Sequence, residues 1–419
     1  MEQNMTELVL TSDQTAAKEA FISFLLNPHE HVFVLKGYSG TGKSTLTGHL
    51  LESLPGIFKA ARLIDPDYKE YDIQLTATTN KAAENLAFLS GQAVPTIQSY
   101  LGLMVRKDYK TDETYLARKR NAPDLYHKLL FIDEASYIDT GLLKHIFQIT
   151  KDSKIVFMGD PAQLTPVKTH GTPVFDAKWP GAHLSQVVRQ AEGHPIVDLS
   201  TKFRHTVNTG EFFQFKPDGV HVRHLSREEF NQEIAREFSQ PNWKFRDSKV
   251  LAWTNKCVIN YNHAIREHVG GSPDFEVGDY AICNSFVGTQ GKSLKTDQMV
   301  CITKISEPTV EEGVAGRYFT VDGSITLFMP NSLTERNARI KQAKSQDDYA
   351  VLSAIDTSWI DLRAAYACTV NKAQGSTFDK VFIDLDDISR CNSGDQIARM
   401  LYVACSRARH HVYLTGDFC

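Results

Sequence analysis

The chain has 419 residues, of which 42% are hydrophobic and 23% are charged, a composition typical of a folded protein with more than one domain. Its formal net charge is −4, so the chain as a whole is not a polycation, and a nucleic-acid site has to be a local basic or polar surface. The seven cysteines form no Cys-x-x-Cys pair, which disfavours a zinc site and predicts a reduced, cytoplasmic protein, and no apolar run is long enough to predict a membrane span or an export signal.

Short apolar runs alternate with helix-like segments along the chain, which is the pattern of parallel sheets with crossover helices. In the first half, four such runs predict the strands of one doubly wound sheet: residues 31–35, 73–77, 128–132 and 155–158. In the second half, three runs predict a second sheet of the same class: residues 250–253, 381–384 and 411–414. We therefore expect an α/β protein with two parallel sheets.

A glycine-rich segment, residues 37–44, follows the first predicted strand and fits the pattern G-x-x-x-x-G-K-[ST]. Its glycines let backbone N–H groups surround phosphate oxygens, Lys43 neutralises phosphate charge, and Ser44 offers a hydroxyl to Mg²⁺. The alternative is a turn that merely caps a helix, and the complete pattern in strand–loop–helix order disfavours it. We expect a nucleotide site, which the resemblance given below makes an ATP site, formed by Gly37, Ser39, Gly40, Thr41, Gly42, Lys43, Ser44 and Thr45.

An acidic pair, Asp133 and Glu134, ends the apolar run at residues 129–132. This position lies at the carboxyl edge of a parallel sheet, where ligands bind in open α/β folds. Asp133 is expected to hold Mg²⁺, and Glu134 to orient and deprotonate the attacking water. The alternative is a helix start with acidic residues favoured by the helix dipole.

Further motifs decide the type of P-loop protein, because kinases, GTPases and transporters share the loop. In order along nearly the whole chain, eight segments resemble the motifs of superfamily 1 helicases of the 5′-to-3′ subgroup (B), in particular the RecD-like enzymes and the Dda-type helicases of bacteriophages. The most specific is G-D-x-x-Q-L-x-P-V at 159–167. The other segments are 10–14, 76–83, 96–99, 184–189, 252–256, 369–377 and 401–409.

In the first half of the chain, the resemblance implies that Gln14 reads the adenine edge and that Gln163 contacts the γ-phosphate. Thr11 and Gln14 also have the spacing of a capping box, and both interpretations can hold. Short polar residues suit contacts with DNA phosphates, which accept hydrogen bonds without sequence preference. The DNA contacts implied here are Thr79, Asn80, Thr96 and Gln98, of which Thr79 and Asn80 also fit a plain helix cap.

In the second half, the resemblance implies that Arg189 and Arg407 contact the γ-phosphate and that Gly375 adjoins the nucleotide. A guanidinium supplied from a separate domain stabilises the transferring phosphoryl group only when the cleft closes. Asn371 stands where the family usually has His, and Ser406 where it usually has Thr. The implied DNA contacts are Trp253, Thr254, Asn255, Lys256, Thr369, Asn371 and Lys372, while Trp253 and Tyr100 are candidates either for base stacking or for the core.

Two insertions interrupt the α/β pattern. Residues 103–127 carry basic and tyrosine side chains and predict a β-hairpin, for which the resemblance implies a strand-separating pin; a solvated charged loop is the alternative. Residues 270–361 have short alternating runs that predict an all-β insertion, SH3-like by resemblance. The expected organisation is two RecA-like domains, 1–185 and 186–419, each with one insertion.

The resemblance implies an ATP- and Mg²⁺-dependent DNA helicase that moves 5′-to-3′ on single-stranded DNA and unwinds forked duplexes in replication or recombination. Hydrolysis at a cleft between the two domains would alternate their grip on the strand. The expected protein is a cytoplasmic monomer, in a host cell if phage-encoded, with single-strand-binding or replication proteins as partners and no membrane contact. The alternatives are a P-loop phosphotransferase or signalling NTPase that does not act on DNA, and a DNA clamp without catalysis.

Overall fold

The computed structural model describes residues 10–108, 111, 114–165, 172–188, 193–270, 274–289 and 292–417. The chain divides into two compact units. The first comprises Met1–Arg106 and Leu116–Thr209, and the second comprises Lys107–Tyr115 and Gly210–Cys419. The division at 209/210 lies later in the chain than the predicted boundary at 185/186, because the helix Pro195–Thr209 belongs to the first unit.

The first unit alternates strands and helices. Its strands are β1 (Val32–Gly37), β2 (Asp72–Ala77), β3 (Leu103–Lys107), β4 (Thr114–Arg118), β5 (Leu125–Tyr126), β6 (Lys128–Asp133), β7 (Thr150–Lys151), β8 (Lys154–Gly159) and β9 (Gly181–Leu184). Its helices are α1 (Ser12–Leu26), α2 (Lys43–Ile64), α3 (Asn80–Ser90), α4 (Ile97–Tyr100), α5 (Thr140–Ile149), α6 (Pro173–Asp176) and α7 (Pro195–Thr209), with a 3₁₀ turn at Ala135–Tyr137.

Five of these strands form a parallel sheet in the order β2–β6–β8–β1–β9, as the sequence predicts. Because helices cover both faces, the inner strands are buried on both sides and read as uninterrupted apolar runs. One core lies under α1 and α2 and includes Phe21, Phe33 and Phe131. The other lies under α5 and includes Ile132 and Phe157.

A buried lysine joins two elements of the first core. Lys154, at the start of β8, is 1% exposed. Its Nζ donates to the carbonyl oxygens of Phe24 (2.9 Å), Asn27 (2.7 Å) and Glu30 (2.7 Å), at and beyond the end of α1. Burial lowers the pKa of this ammonium group to about 8. Phe24 and Asn27 also accept long backbone bonds from the N–H groups of Asn27 and Glu30, both at 3.3 Å, so Lys154 adds short charged donors at the end of α1.

We expect Lys154→Met to lower the free energy of unfolding of the first unit by about 2–4 kcal/mol, because the variant loses three hydrogen bonds from a charged donor, each of which contributes about 1.5–3 kcal/mol, and gains part of this back by burying an apolar side chain. Urea unfolding measures the loss. Lys151→Met is the control, since Lys151 is exposed nearby. Equal stability of the two variants would contradict this role of Lys154.

The second unit contains the remaining elements. Its strands are β10 (Val222–Leu225), β11 (Ser248–Ala252), β12 (Tyr280–Cys283), β13 (Val287–Thr289), β14 (Lys292–Leu294), β15 (Met299–Ile305), β16 (Thr309–Glu311), β17 (Val314–Val321), β18 (Ile325–Pro330), β19 (Leu362–Ala364), β20 (Ala367–Thr369), β21 (Phe378–Asp384) and β22 (Ala408–Thr415). Its helices are α8 (Arg227–Phe238), α9 (Asn255–His268), α10 (Leu333–Ser345), α11 (Tyr349–Ser358), α12 (Val370–Ala373), α13 (Leu385–Ile388) and α14 (Gly394–Ser406). The second predicted parallel sheet is present, in the order β10–β22–β21–β11–β20.

The insertion at 270–361 forms an antiparallel sheet in the order β16–β17–β15–β12–β19, with β18 on β17 and a hairpin of β13 and β14. The all-β prediction is wrong for its last third, where α10 and α11 lie. Ser332 and Asp348 cap these helices by accepting from the N–H groups of Glu335 and Val351. Leu352, Ile355 and other apolar residues of α11 pack under β18. The SH3-like class stays a prediction.

The insertion at 103–127 contains the two-stranded sheet of β3 and β4. The β-hairpin predicted here therefore has its two strands, while Tyr109, Lys110, Asp112 and Glu113 lie outside the described residues. Its role as a pin stays a prediction. Among the described residues, every helix is too short or too polar to cross a membrane.

Candidate nucleotide and nucleic-acid site

Three predicted nucleotide segments follow three adjacent strands of the first sheet. The P-loop follows β1, the pair Asp133–Glu134 ends β6, and the segment 160–163 follows β8, which lies between them. Since the strands are parallel, these segments meet at one carboxyl edge of the sheet. The fold thus brings together side chains as far apart in the chain as Lys43 and Gln163.

The P-loop has the backbone conformation that its glycines permit. Gly40 and Gly42 have φ angles of 82° and 80°, a left-handed conformation that residues with a Cβ rarely adopt. Lys43 begins α2, and its Nζ donates to the carbonyl oxygens of Gly37 and of Tyr38, the latter at 3.0 Å. Ser44 and Thr45 are exposed in the first turn. This arrangement, with N–H groups and an ammonium at the start of a 22-residue helix, suits a polyphosphate.

Gln14 connects α1 to the P-loop. Its Nε2 donates to the carbonyl oxygen of Thr41 at 3.2 Å, while its Oε1 accepts from the N–H of Thr11 at 3.0 Å. The hydroxyl of Thr11 in turn accepts from the N–H of Gln14 at 3.3 Å, which completes the capping box. Gln14 is 4% exposed and therefore supports the loop directly. Its adenine contact stays a prediction.

We expect Gly42→Ala to weaken binding of an ATP analogue at least tenfold. A Cβ at Gly42 would lie 2.5 Å from Nε2 of Gln14, and the φ of +80° would be strained. A fluorescent nucleotide titration measures the affinity. The matched control is Gly48→Ala in α2, where an added Cβ meets nothing within 4 Å and should stabilise the helix by about 0.5–1 kcal/mol. Equal affinities of the two variants would contradict the importance of this loop conformation.

Asp133 and Glu134 lie in a tight turn after β6. Oδ1 of Asp133 accepts from the N–H of Glu134 at 2.8 Å. Glu134 has a φ of +53°, which is uncommon for a residue with a side chain and is held here by Thr78, whose hydroxyl donates to its carbonyl oxygen at 2.8 Å. Such strained conformations cluster at functional sites, and this one lies at the residue predicted to orient the attacking water.

The residues at this edge fit a magnesium ion bound together with a nucleotide. Burial raises the pKa of Asp133, whereas the N–H of Glu134 and the charge of Lys43 lower it, so a cation near Asp133 favours the charged carboxylate. The described residues contain no group of three or more His, Cys, Asp or Glu side chains able to hold a metal by themselves. Mg²⁺ commonly uses one or two protein oxygens plus phosphates, which Asp133 and Ser44 can complement.

The segment after β8 is buried and internally hydrogen-bonded. Asp160 is 0% exposed, and its Oδ1 accepts from the N–H of Ala162 at 2.9 Å. Gln163 is 4% exposed and its Nε2 lies 3.5 Å from Oδ2 of Asp160. Gly159 allows the backbone of Ala135 to lie close to the end of β8, since a Cβ at Gly159 would lie 3.0 Å from the backbone N of Ala135. The rest of this motif, Pro166 and Val167, and the predicted phosphate contact Arg189 lie outside the described residues.

The predicted DNA contacts of the first unit lie beside the acidic pair. Ala77, the last residue of β2, is in register with Asp133 and also bridges to Thr96. Thr79 caps α3 by accepting from the N–H of Ala82 at 3.2 Å, and Asn80 begins that helix. Thr96 caps α4 by accepting from the N–H of Ser99 at 3.3 Å, with Gln98 within that helix. Tyr100 packs partly buried against the core, which supports the core interpretation for this ring.

Predicted DNA contacts of the second unit meet at the carboxyl ends of β11 and β20. These strands are parallel neighbours with Ala252 opposite Thr369, so Thr254 and Thr369 lie at the same edge. Both residues cap helices, accepting from the N–H groups of Cys257 (3.2 Å) and Lys372 (3.4 Å) respectively. The edge also carries the half-buried Trp253, the exposed Asn255 and Lys256, and Asn371 in α12.

Lys372 is bound to the insertion of its own unit. Its Nζ donates to Oδ1 of Asn284 at 2.6 Å, to the carbonyl oxygen of Asn284 at 3.3 Å, and to Oδ1 of Asp297 at 2.8 Å. An ammonium group has three N–H donors, and all three have protein acceptors here. Lys372 therefore fastens the β insertion to the edge, and a contact with DNA would compete with these bonds.

Asp387, which the sequence analysis does not single out, organises the same edge. Its Oδ2 accepts from the N–H groups of Trp253 (2.8 Å) and Thr254 (2.7 Å), and its Oδ1 accepts from the hydroxyl of Thr254 at 2.7 Å. Asp387 is 3% exposed and lies in α13, after β21. The only sequence signal is the acidic run at residues 384–387, which also fits a solvated surface.

Arg407 is buried within the second unit. It is 4% exposed and caps α14. Its Nε donates to the carbonyl oxygen of Val403 at 3.1 Å, its Nη1 to that of Ser376 at 3.2 Å, and its Nη2 to the hydroxyl of Ser406 at 2.8 Å. Ser376 follows Gly375, which has a φ of 75°. Arg407 thus packs against the segment 369–377, and its expected γ-phosphate contact stays a prediction.

We expect Asp387→Asn to raise the dissociation constant for single-stranded DNA about tenfold, a change of about 1.4 kcal/mol, because the amide keeps only one oxygen for three donors. Fluorescence anisotropy of a labelled oligonucleotide measures this, and nucleotide affinity should be unchanged. Asp386→Asn serves as the control, since the side chain of Asp386 is 50% exposed. An unchanged DNA affinity of Asp387→Asn in a folded protein would exclude this role.

Comparisons with known proteins agree with this arrangement. A family model described as AAA domain matches residues 9–224, and a model described as UvrD-like helicase C-terminal domain matches residues 364–415. The ATP-dependent DNA helicase dda of Enterobacteria phage T4 is 24% identical, covering 96% of this chain and 98% of the relative. The RecBCD enzyme subunit RecD of Buchnera aphidicola subsp. Schizaphis graminum is 22% identical, covering 87% of this chain and 67% of the relative.

Among solved structures, the Pif1 helicase from Bacteroides in complex with ADP-AlF3 and ssDNA has a TM-score of 0.52 at 15% identity, covering 99% of this chain and 94% of that one. This similarity shows a shared fold, which confirms the predicted pair of RecA-like α/β domains. Since the AAA domain model alone matches more than half of the chain and a helicase C-terminal model follows it, the chain belongs to the AAA domain family and is a superfamily 1 helicase.

Proposed function

We propose that this protein is an ATP-dependent DNA helicase that moves along single-stranded DNA and unwinds duplexes. The observation that carries the proposal is the order of segments along one sheet edge: P-loop, Gln163 segment, Asp133–Glu134, and then the capped starts of α3 and α4. A nucleotide at this edge would lie next to the predicted DNA contacts. A phosphotransferase or signalling NTPase would not require the capped starts of α3 and α4 at that edge.

The chemistry at the edge is ATP hydrolysis. The N–H groups of the loop and Lys43 would bind the phosphates, and Gln14 would support the loop from behind. Mg²⁺, held by Ser44 and Asp133, would neutralise the charge of the β- and γ-phosphates. Glu134 would orient the attacking water and take its proton, and Gln163, Arg189 and Arg407 would respond to the γ-phosphate. Closure on ATP has to rest on contacts that ADP lacks.

DNA would be held by its backbone. Threonine hydroxyls and the N–H groups at helix starts bind phosphates without reading sequence, as a motor on DNA requires. In the first unit these groups belong to Thr79, Asn80 and Thr96, and in the second unit to Thr254 and Thr369. Lys256 is exposed and would contact the same strand, and Trp253 would stack on a base. Asn255 is also exposed, but its Oδ1 accepts from Nη1 of Arg363 at 2.8 Å, so a DNA contact of this oxygen would compete with that bond.

The finer features rest on the resemblance of the sequence motifs to those of the 5′-to-3′ subgroup. We propose 5′-to-3′ movement, with the ribbon of β3 and β4 as the pin that separates strands. Forked DNA would be the substrate, and single-strand-binding or replication proteins its partners. The protein would act as a monomer in the cytoplasm, that of the host if a phage encodes it, in replication or recombination.

We expect Glu134→Gln to lower DNA-stimulated ATP hydrolysis by about 10²–10⁴-fold, the usual contribution of a general base, while binding of nucleotide and DNA persists. A coupled ATPase assay with and without single-stranded DNA measures this. Glu52→Gln is the control, because Glu52 is exposed on α2. A clamp without catalysis would keep strand displacement in the Glu134 variant.

The proposal is tested with forked duplexes that carry either a 5′ or a 3′ single-stranded tail, in the presence of ATP and Mg²⁺. We expect unwinding only with the 5′ tail and strong stimulation of ATP hydrolysis by single-stranded DNA. A phosphotransferase would be indifferent to DNA. Unwinding of the 3′-tailed substrate alone would keep the helicase and reverse the direction.

A further inference from the structure

Tyr38 occupies a central position in the P-loop. Its carbonyl oxygen accepts from Nζ of Lys43 at 3.0 Å, from the hydroxyl of Thr41 at 2.9 Å and from the N–H of Thr41 at 3.3 Å. Lys43 is the residue that has to turn toward the phosphates when a nucleotide binds, and an ammonium group has only three N–H donors. Nucleotide binding therefore withdraws a hydrogen bond from the backbone of Tyr38.

The ring of Tyr38 is held on two sides. The ring of His183, in β9, packs in a T-shaped arrangement with the ring of Tyr38, and the two ring centroids are 4.9 Å apart. The guanidinium carbon of Arg204 lies over the Tyr38 ring, 3.8 Å from its centroid. Burial, Lys36 and Arg204 lower the pKa of His183, while Asp160 and Asp13 act in the opposite direction. This stack of three residues lies on the β9 side of the P-loop, since β9 and β8 pair with opposite edges of β1.

Arg204 has few other interactions among the described residues. No hydrogen bond or ion pair of its guanidinium occurs within the ranges that the structure describes, so the contact with Tyr38 is its principal interaction there. A guanidinium on an aromatic face is attracted by the ring quadrupole and follows the ring when it moves. The position of Arg204 thus depends on the conformation of the P-loop.

Arg204 lies in α7, the helix that leads out of the first unit. Leu199 and Phe203 bury one side of this helix in the first unit. The helix ends at Thr209, and the second unit begins at the next residue, Gly210, which has a φ of 78°. Residues 210–218 form neither helix nor strand. Arg204 therefore lies five residues before the end of α7 and the connection between the units.

We propose that Arg204 is a positioning residue that reports the state of the P-loop, through Tyr38, to the end of α7 and the connection at 210–218. The proposal rests on nucleotide binding by the first unit, which belongs to the proposed function, but not on DNA unwinding. A ligand shifts a conformation only if it contacts the two states differently, and Lys43 supplies that difference here. Arg204 itself does not touch the nucleotide.

The experiment is hydrogen exchange of the full chain with and without Mg²⁺ and a non-hydrolysable ATP analogue. In the unsubstituted protein we expect the analogue to change exchange both at the start of α2 and at residues 205–218. In Arg204→Gln the change at α2 should remain and the change at 205–218 should fall at least threefold, with analogue affinity within about threefold of the unsubstituted value. Lys202→Gln is the control, because Lys202 is exposed on the same helix.

Three outcomes would overturn the proposal: no response at 205–218 in the unsubstituted protein that binds the analogue, an unchanged response in Arg204→Gln, or a loss of analogue affinity of tenfold or more, which would make Arg204 a direct nucleotide contact. In Tyr38→Leu the response at 205–218 should also fall, and combining it with Arg204→Gln should add nothing further. Failure of the unsubstituted protein to bind the analogue at all would instead refute the proposed function.

Discussion

The carboxyl edge of a parallel sheet is the constraint on which the rest of this structure depends. Strands that run in one direction bring the residues that follow them to one side, so the order β2–β6–β8–β1 becomes an order of chemical groups. Lys43, Gln163 and Asp133 become neighbours in this way. The second sheet has the same arrangement: β11 and β20 are parallel, and Thr254 and Thr369 lie at their carboxyl ends.

Helix capping is the second recurring feature of both edges. Thr79, Thr96, Thr254 and Thr369 each accept from an N–H group in the first turn of the following helix. The same geometry that satisfies a helix start also presents N–H groups and hydroxyls to an incoming phosphate. The cap interpretation and the predicted phosphate contacts of these residues are therefore compatible, because a cap uses the lone pair of the hydroxyl oxygen and leaves its O–H and the first N–H groups of the helix for a phosphate.

Charged groups near the edges are largely held by protein partners. Lys372 donates to Asn284 and Asp297, and Arg407 donates to Ser376 and to two groups of its own helix end. Such bonds orient a side chain and lower the entropy that ordering it costs, but a ligand has to compete with them. Arg204 differs, because an aromatic face holds its charge and leaves its N–H groups free of protein acceptors within the described ranges.

The sequence by itself determined the two parallel sheets, the P-loop and the Asp133–Glu134 pair, because each depends on residues that are close in the chain: an apolar run, a glycine at a left-handed position, a carboxylate after a strand. It also determined the family, through motifs that are local strings. The sequence does not predict the roles of Asp387, Lys154 and Arg204, since these residues contact partners about 130 or more positions away. The sequence does not predict the helices α10 and α11, because the short alternating runs that precede them favour strands. Only the tertiary structure decided which polar side chains support the edge and which face it, since that depends on the order of strands in the sheet and not on their order in the chain.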